Sequence, residues 1–335
     1  MQLSDIDYVL PEKLIAQKPI EPRDSARLLM ATDLAQLEHK HMTDFVEFVE
    51  PGDVLVVNDT RVLPARLSLQ RKTGGAAEVL LLEERSSDHR LWEALVKPAR
   101  KLKDGEVLEY FGRRVVRLGP RTEAGDTFVV ELLDENPLEW LQRTGTMPLP
   151  PYIYGSLTDQ ERYQTVYSRR AASAAAPTAG LHFTPELMER IVARGVRVER
   201  VELVVGLDTF KPISAENPLE HQIHTEIYNV EQSVMDACSA ANRVIAVGTT
   251  ATRALESVAS TGQLSGRTNL FITPGYQWKV VDMMVTNFHM PRTSLLLMVE
   301  SFIGPEWREL YAAAVAEQYR FLSFGDAMLI ARKKG

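Results

Sequence analysis

The stretch AAPTAGLHF, Ala175 to Phe183, places Pro177, Thr178, Gly180 and His182 within six positions. A helix should follow at once. Thr184 is a good N-cap, Pro185 suits the first helical position, and PELMERIVAR carries an apolar period up to Gly195. The loop before that helix would offer free N–H groups to an anion, and one imidazole able to move a proton near neutral pH. Gly180 would let a ligand or another part of the chain approach closely. The same residues would equally suit a Pro/Gly turn with a capping threonine and a satisfied histidine.

Other candidates lie at strand ends. NDTR, Asn58 to Arg61, sets four polar side chains in a row after the apolar run DVLVV. VGTTATR joins a strand to a helix through Thr249 and Thr250, with Arg253 one turn on. His289 stands in TNFHMP beside Asn287, and Gly325 and Asp326 precede the last strand. HQIHTE holds His221, His224 and Glu226. Histidines at i and i+3 invite a metal, but ligands come in threes or fours and this segment lies in no clear helix, so no metal site is expected. His39 and His41 fall in a charged stretch and should be solvated. There is neither a GxxxxGK[ST] loop nor a GxGxxG fingerprint. Each feature is weak alone, but one cleft at strand ends could collect them.

The elements that must position these groups can be read from pattern. The chain has 335 residues, of which 45% are hydrophobic and 25% charged, so two domains are the default for a soluble protein. A single cysteine, Cys238, excludes an internal disulfide framework. The first residues, MQLSDIDYVLPEKLIAQ, lack the basic and apolar regions of a signal peptide, and no apolar run is long enough to span a bilayer. A reducing, cytoplasmic setting is expected. Residues 1–65 read as a short helix (LPEKLIAQ), a strand (ARLLMA) and a buried strand (DVLVVN). From 66 to 148 short alternating runs separated by turn signals suggest an antiparallel barrel. From 149 to 335 helices and strands alternate, from a helix in ERYQTVYS through strands RVIAVG, TNLFIT and VDMMVTNFHMP to AMLIAR. The expected fold is thus α/β: a mostly parallel sheet covered by helices, formed by 1–65 and 149–335, with the barrel inserted. Between Arg61 and Arg121, fourteen Lys or Arg face eight Asp or Glu, in a chain whose net charge is −7. That asymmetry suits a phosphate-facing domain, although solvated strand faces carry charge anyway.

NDTRVLPARL, MPLPPYI, RYQTVYS, AAPTAGLHFT, HQIHTE, RVIAVGTTATRALES, PGYQWKVVDMMVTNFHMPRTSLLLMV and YRFLSFGDAM together resemble, in order and spacing, the S-adenosylmethionine:tRNA ribosyltransferase-isomerases of queuosine biosynthesis. The resemblance spans essentially the whole chain. It implies a cytoplasmic, monomeric transferase with no metal cofactor. Such an enzyme would move and isomerise the ribosyl part of its cosubstrate S-adenosylmethionine onto 7-aminomethyl-7-deazaguanine at the tRNA wobble position. Epoxyqueuosine-tRNA would form, with release of adenine and methionine.

For that chemistry, proton transfer is expected of His182, then of His289 and His224. Asp59 and Glu226 would orient them or face the sulfonium. Thr249 and Thr250 would hold the ribose or methionine end, and Arg61 and Arg253 a phosphate or carboxylate. Asn58, Thr60, Thr178, Gly180, His221, Asn287, Gly325 and Asp326 complete the expected substrate-binding set. Lys97, Arg100, Lys101 and Lys103, in VKPARKLKDG, would guide tRNA. Two departures stand out. The family commonly has HVGxGTF where this chain has VVGLDTF, so Val204 replaces a histidine and Asp208 a glycine. SRRAASAAAP also lacks the more usual Pro-Gly pair. Since His182, His224 and His289 remain, the lost histidine is read as supporting. The rival readings are an ordinary S-adenosylmethionine-dependent tRNA methyltransferase and a non-catalytic tRNA-binding protein.

Overall fold

The computed structural model describes residues 1–122, 125–155, 157–206, 212–223 and 225–333. The chain opens with β1 (Arg27–Ala31), β2 (Glu38–His41), α1 (Phe45–Phe48) and β3 (Val54–Asn58). Seven strands follow: β4 (Thr60–Val62), β5 (Arg66–Arg71), β6 (Ala76–Glu84), β7 (Leu91–Lys97), β8 (Val107–Tyr110), β9 (Arg113–Arg121) and β10 (Phe128–Leu132). Then come α2 (Pro137–Thr144), β11 (Arg170–Ser173), α3 (Pro185–Ala193), β12 (Arg197–Leu203), β13 (Glu226–Asn229) and α4 (Gln232–Ala240). The chain closes with β14 (Val244–Val247), α5 (Gly248–Thr261), β15 (Ser265–Thr268), β16 (Met283–Asn287), α6 (Ser294–Ile303), α7 (Trp307–Ala316) and β17 (Ala327–Ala331).

Two compact units result. The first comprises Met1–Thr60, Pro150–Arg169 and Pro177–Gly335, and the second Arg61–Leu149 with Arg170–Ala176. In the first unit nine strands form one sheet in the order β15-β13-β12-β3-β14-β16-β17-β1-β2. Its middle strands β3, β14 and β16 are buried along their whole length, as their unbroken apolar runs require. The edges are polar: β2 reads EHKH and β15 SGRT, which discourages pairing with another sheet. Leu55, Val57, Phe183, Leu187, Ile191, Val247, Val285 and Leu329 share one core cluster.

The sheet is mixed and not mostly parallel. Four neighbour pairs are parallel (β1–β17, β3–β12, β3–β14, β14–β16) and four antiparallel (β1–β2, β12–β13, β13–β15, β16–β17). At β16–β17 the connection runs through two helices, α6 and α7, and β17 pairs antiparallel to β16. Two local expectations also change. The helix expected in ERYQTVYS is one 3-10 turn, Gln160–Tyr163, and the strand expected in TNLFIT keeps only Thr268, at the end of β15.

The second unit holds a closed antiparallel barrel in the order β10-β7-β6-β5-β8-β9. Alternation drives it: in β7, Trp92, Ala94 and Val96 point inward and the residues between them are more exposed. β4 and β11 pair as a separate two-stranded sheet, which joins Arg170–Ala176 to this unit.

Candidate active site

The stretch around His182 forms a 3-10 helix, Thr178–His182, and α3 starts just beyond it. Thr184 caps α3 by accepting a hydrogen bond from Leu187 N, and Pro185 is the first helical residue. Phe183 between them is fully buried and meets Phe45 edge to face. That anchor fixes His182 at a set point between helix and sheet. Gly180 is needed for close approach: a Cβ there would lie 2.0 Å from the Tyr167 hydroxyl and 2.8 Å from Thr165 Cγ2. On the far side, Gly248 opens α5 at φ +87°, a conformation that favours glycine, and a Cβ on it would press on Ala179 at 3.3 Å.

His182 is 4% exposed. Asn287, at the end of β16, holds it through Nδ2, 3.1 Å from His182 Nε2. The Thr178 hydroxyl donates to Asn287 Oδ1 at 2.9 Å, and the Asp326 carbonyl lies 3.5 Å from Asn287 Nδ2. The Asp326 carboxylate is committed elsewhere, accepting from Arg320 N at 2.8 Å and Arg27 N at 3.2 Å. Burial pushes the His182 imidazole down to about 3, and the nearby Arg320 and Arg23 charges add to the shift, so the ring is neutral at working pH.

A half-open cavity lies at this point, lined by Ile20, Arg23, Leu181, His182, Ser323 and Phe324 among others. Arg23 donates to the carbonyls of Gln164 at 2.6 Å and Glu161 at 2.9 Å, which fixes its guanidinium without a carboxylate. Ser323 Oγ meets the Tyr152 hydroxyl at 2.7 Å, and the Phe324 ring packs edge-on against Tyr163. The hydroxyls of Thr165, Tyr167 and Thr250 are buried without a hydrogen-bond partner among the described residues. Arg23, Ser323, Phe324 and Tyr167 were not named from the sequence. Arg23 sits in a Pro-broken loop that carries no chemical signature, while Tyr167, Ser323 and Phe324 lie inside RYQTVYS and YRFLSFGDAM, where no rule singles them out.

The other predicted residues separate into groups. His289 is buried, pushed down to about 3 by burial alone, with Nε2 3.2 Å from Thr286 Oγ1. Its N–H donates to the Tyr311 hydroxyl and its carbonyl accepts from Tyr8. It is not among the described residues that line the cavity. Asn58 and Thr60 are fully buried and tie β3 to Leu203 through Asn58 Nδ2 and Thr60 Oγ1. Asp59 lies with one carboxylate oxygen 3.9 Å from both Arg169 Nε and Arg200 Nη1. Burial, then the Glu202 charge, raises its carboxyl above the ordinary range, against the pull of the two arginines. Arg200 also donates to the Tyr167 carbonyl at 2.8 Å.

Glu226 and Arg253 form a buried ion pair at 2.5 Å, and Arg253 donates further to the Thr268 carbonyl. Thr249 is half-buried in the first turn of α5. His221 is half-buried, its ring edge-on to Phe271. Gly325 lines the cavity. His224 and Asp208 lie outside the described residues, and Val204 donates its N–H to the Ile227 carbonyl at the end of β12. Arg61 belongs to the second unit. So do Lys97, Arg100, Lys101 and Lys103, all exposed, with Lys97 3.4 Å from Glu78.

Comparison with known proteins adds the following. A family model described as queuosine biosynthesis protein matches residues 3–330. The S-adenosylmethionine:tRNA ribosyltransferase-isomerase of Desulforamulus reducens is 48% identical over 342 residues, covering 98% of this chain and 100% of the relative. That of Symbiobacterium thermophilum is 48% identical over 345 residues, with the same shares. The crystal structure of S-adenosylmethionine tRNA ribosyltransferase from Thermotoga maritima is similar at a TM-score of 0.55 and 34% identity, covering 97% of this chain and 99% of that one.

Proposed function

Because the chain belongs to the queuosine biosynthesis protein family, we propose that it carries out the reaction for which its relatives are named. It is a transferase of queuosine biosynthesis, an S-adenosylmethionine:tRNA ribosyltransferase-isomerase. The observation that carries this reading is 48% identity to such an enzyme over 98% of the chain. The acceptor is 7-aminomethyl-7-deazaguanine at the wobble position of tRNA. The product is epoxyqueuosine-tRNA, and adenine and methionine leave. The enzyme works as a cytoplasmic monomer.

The sulfonium of S-adenosylmethionine acidifies the C5′ protons, so it supplies the activation that a Lewis acid would otherwise provide. The reaction then calls for a base at C5′, hydrogen-bond donors to the departing purine, and walls that keep water from reactive intermediates. Asp59 is the base. Its carboxyl is raised toward neutrality by burial, which makes it a better proton acceptor than an exposed carboxylate. Its charge acts on the Tyr167 hydroxyl, as does that of Arg23, which lines the cavity. His182 faces the reacting nucleoside, and His289 supports the end of β16. Thr249 and Thr250 hold the methionyl end at the first turn of α5, where free N–H groups favour a carboxylate. The exposed basic run from Lys97 to Lys103 guides tRNA.

Mass spectrometry of tRNA nucleosides tests the reading. The protein is incubated with S-adenosylmethionine and tRNA bearing the aminomethyl base. A ribosyl-derived adduct with matching release of adenine and methionine is expected. A methylated nucleoside, or unchanged tRNA from folded protein, refutes it.

A further inference from the structure

The bonds around Asn287 decide where His182 carries its proton. The Asn287 amide is 4% exposed and faces three groups: Thr178 Oγ1 at 2.9 Å, His182 Nε2 at 3.1 Å and the Asp326 carbonyl at 3.5 Å. A carbonyl oxygen only accepts, so it is the amide nitrogen that faces Asp326. Oδ1 then receives the Thr178 hydroxyl, and the second N–H of Nδ2 points at His182 Nε2. A ring nitrogen that accepts a hydrogen bond carries no proton, so the neutral imidazole holds its proton on Nδ1. Burial and the charges of Arg320 and Arg23 oppose a second proton.

Nδ1 makes no hydrogen bond to the described residues, and His182 lines the cavity. Of the other walls, Ile20 and Leu181 are apolar, Phe324 is aromatic and Ser323 offers a hydroxyl to a flat ring, while Arg23 and Arg162 add two guanidinium groups.

We propose that this cavity seats the purine of S-adenosylmethionine, and that His182, held by Asn287 and Thr178, donates an Nδ1–H hydrogen bond to the purine nitrogen that gains charge as the base departs. The assignment rests on the reading above, in which adenine leaves. In that step the bond from the ribosyl carbon to the purine nitrogen breaks and its electron pair goes to the purine. His182 keeps its proton, because giving it up would leave an imidazolate. The proton that finally neutralises adenine comes from the base that took the C5′ proton or from water. The same geometry removes His182 from the role of general base, since its one lone pair is committed to Asn287. Asn287 and Thr178 are positioning residues. A donor aimed at developing charge in a water-poor site is worth roughly 10²–10³ in rate.

Asn287→Asp inverts the arrangement, because a carboxylate accepts from Nε2–H and frees the Nδ1 lone pair. Long-range ¹⁵N–¹H NMR of histidine-labelled full-length protein, with His182→Asn to assign the signal, reads the tautomer directly. The wild type should show Nδ1–H throughout about pH 5 to 8. Added adenine should move that signal, and added methionine should not. Asn287→Asp should switch the ring to Nε2–H and slow single-turnover adenine release by about 100-fold, with S-adenosylmethionine affinity nearly kept. A wild-type Nε2–H tautomer, a signal that follows methionine instead of adenine, or unchanged adenine release from Asn287→Asp overturns the proposal while the functional reading stands. Wild-type protein that releases no adenine with competent tRNA brings down the functional reading itself, and this proposal with it. Should Asn287→Asp fail to fold, the wild-type spectra decide the matter.

Discussion

Gly180→Ala should cost stability through one side chain, and Tyr167→Phe should return part of it. The new Cβ would sit 2.0 Å from the Tyr167 hydroxyl oxygen, 2.8 Å from Thr165 Cγ2 and 3.0 Å from Tyr167 Cζ. Comfortable contact needs about 3.5 Å, so the phenol must retreat by about 1.5 Å. It has little room, since Tyr167 packs into the core cluster with Phe183 and Val247. Overpacking of this kind costs about 3 kcal/mol. Removing the hydroxyl abolishes the worst contact and leaves the two milder ones, so the double variant should regain about half of the loss. Tyr167→Phe alone should be neutral or slightly stabilising, because the hydroxyl is buried without a partner among the described residues. Urea unfolding of the four proteins gives a coupling energy of about 1–2 kcal/mol if this is right. A Gly180→Ala protein as stable as wild type, or strictly additive effects, would refute the packing argument. Single-turnover assays on the same proteins add a second readout. Lost S-adenosylmethionine affinity in a stable Tyr167→Phe protein would identify the hydroxyl as a ligand contact.

Other outcomes follow from the same geometry. His182 and His289 are held at about 3 against an ordinary 6.5, so only the unfolded chain takes these protons between those values. Stability is therefore full above about pH 6.5 and falls as pH drops toward about 3; melting against pH should be visibly shallower in His289→Gln, and a parallel profile would contradict the assignment. Arg253→Met strands the Glu226 carboxylate in the interior and should cost about 3–5 kcal/mol in urea melts, whereas adding Glu226→Leu should recover much of it. Charge reversal at Lys97, Arg100, Lys101 and Lys103 should weaken tRNA binding and flatten its salt dependence while melting stays constant; unchanged affinity and slope would remove the second unit's basic run from tRNA recognition. Val204→His should change turnover by less than tenfold; a gain of about 100-fold, roughly 2.7 kcal/mol of barrier, would show that the natural chain is impaired there.

What the sequence determined by itself is what depends on near neighbours. The capping of α3 by Thr184 and Pro185 involves residues within one turn, so side-chain chemistry alone announces it. The buried strands β3, β14 and β16 show as apolar runs, and the barrel strands as alternation, because burial on two faces or one is written into each segment. The neutral state of His182 was not legible, because burial and the charges of Arg320 and Arg23, which the sequence does not place beside it, enforce it. Only the tertiary structure decided the rest. Strand direction is not set by the number of connecting helices: one helix, α4, joins the oppositely directed β13 and β14, and two, α6 and α7, join the antiparallel β16 and β17. The membership of Arg170–Ala176 in the second unit comes from pairing with β4, a partner more than a hundred residues earlier. His182 meets Asn287 across 105 positions and Arg23 reaches the Leu181 carbonyl across 158. No local rule says which nitrogen of the imidazole faces a hydrogen-bonding partner, because that partner, the Asn287 amide, is brought to it only by folding.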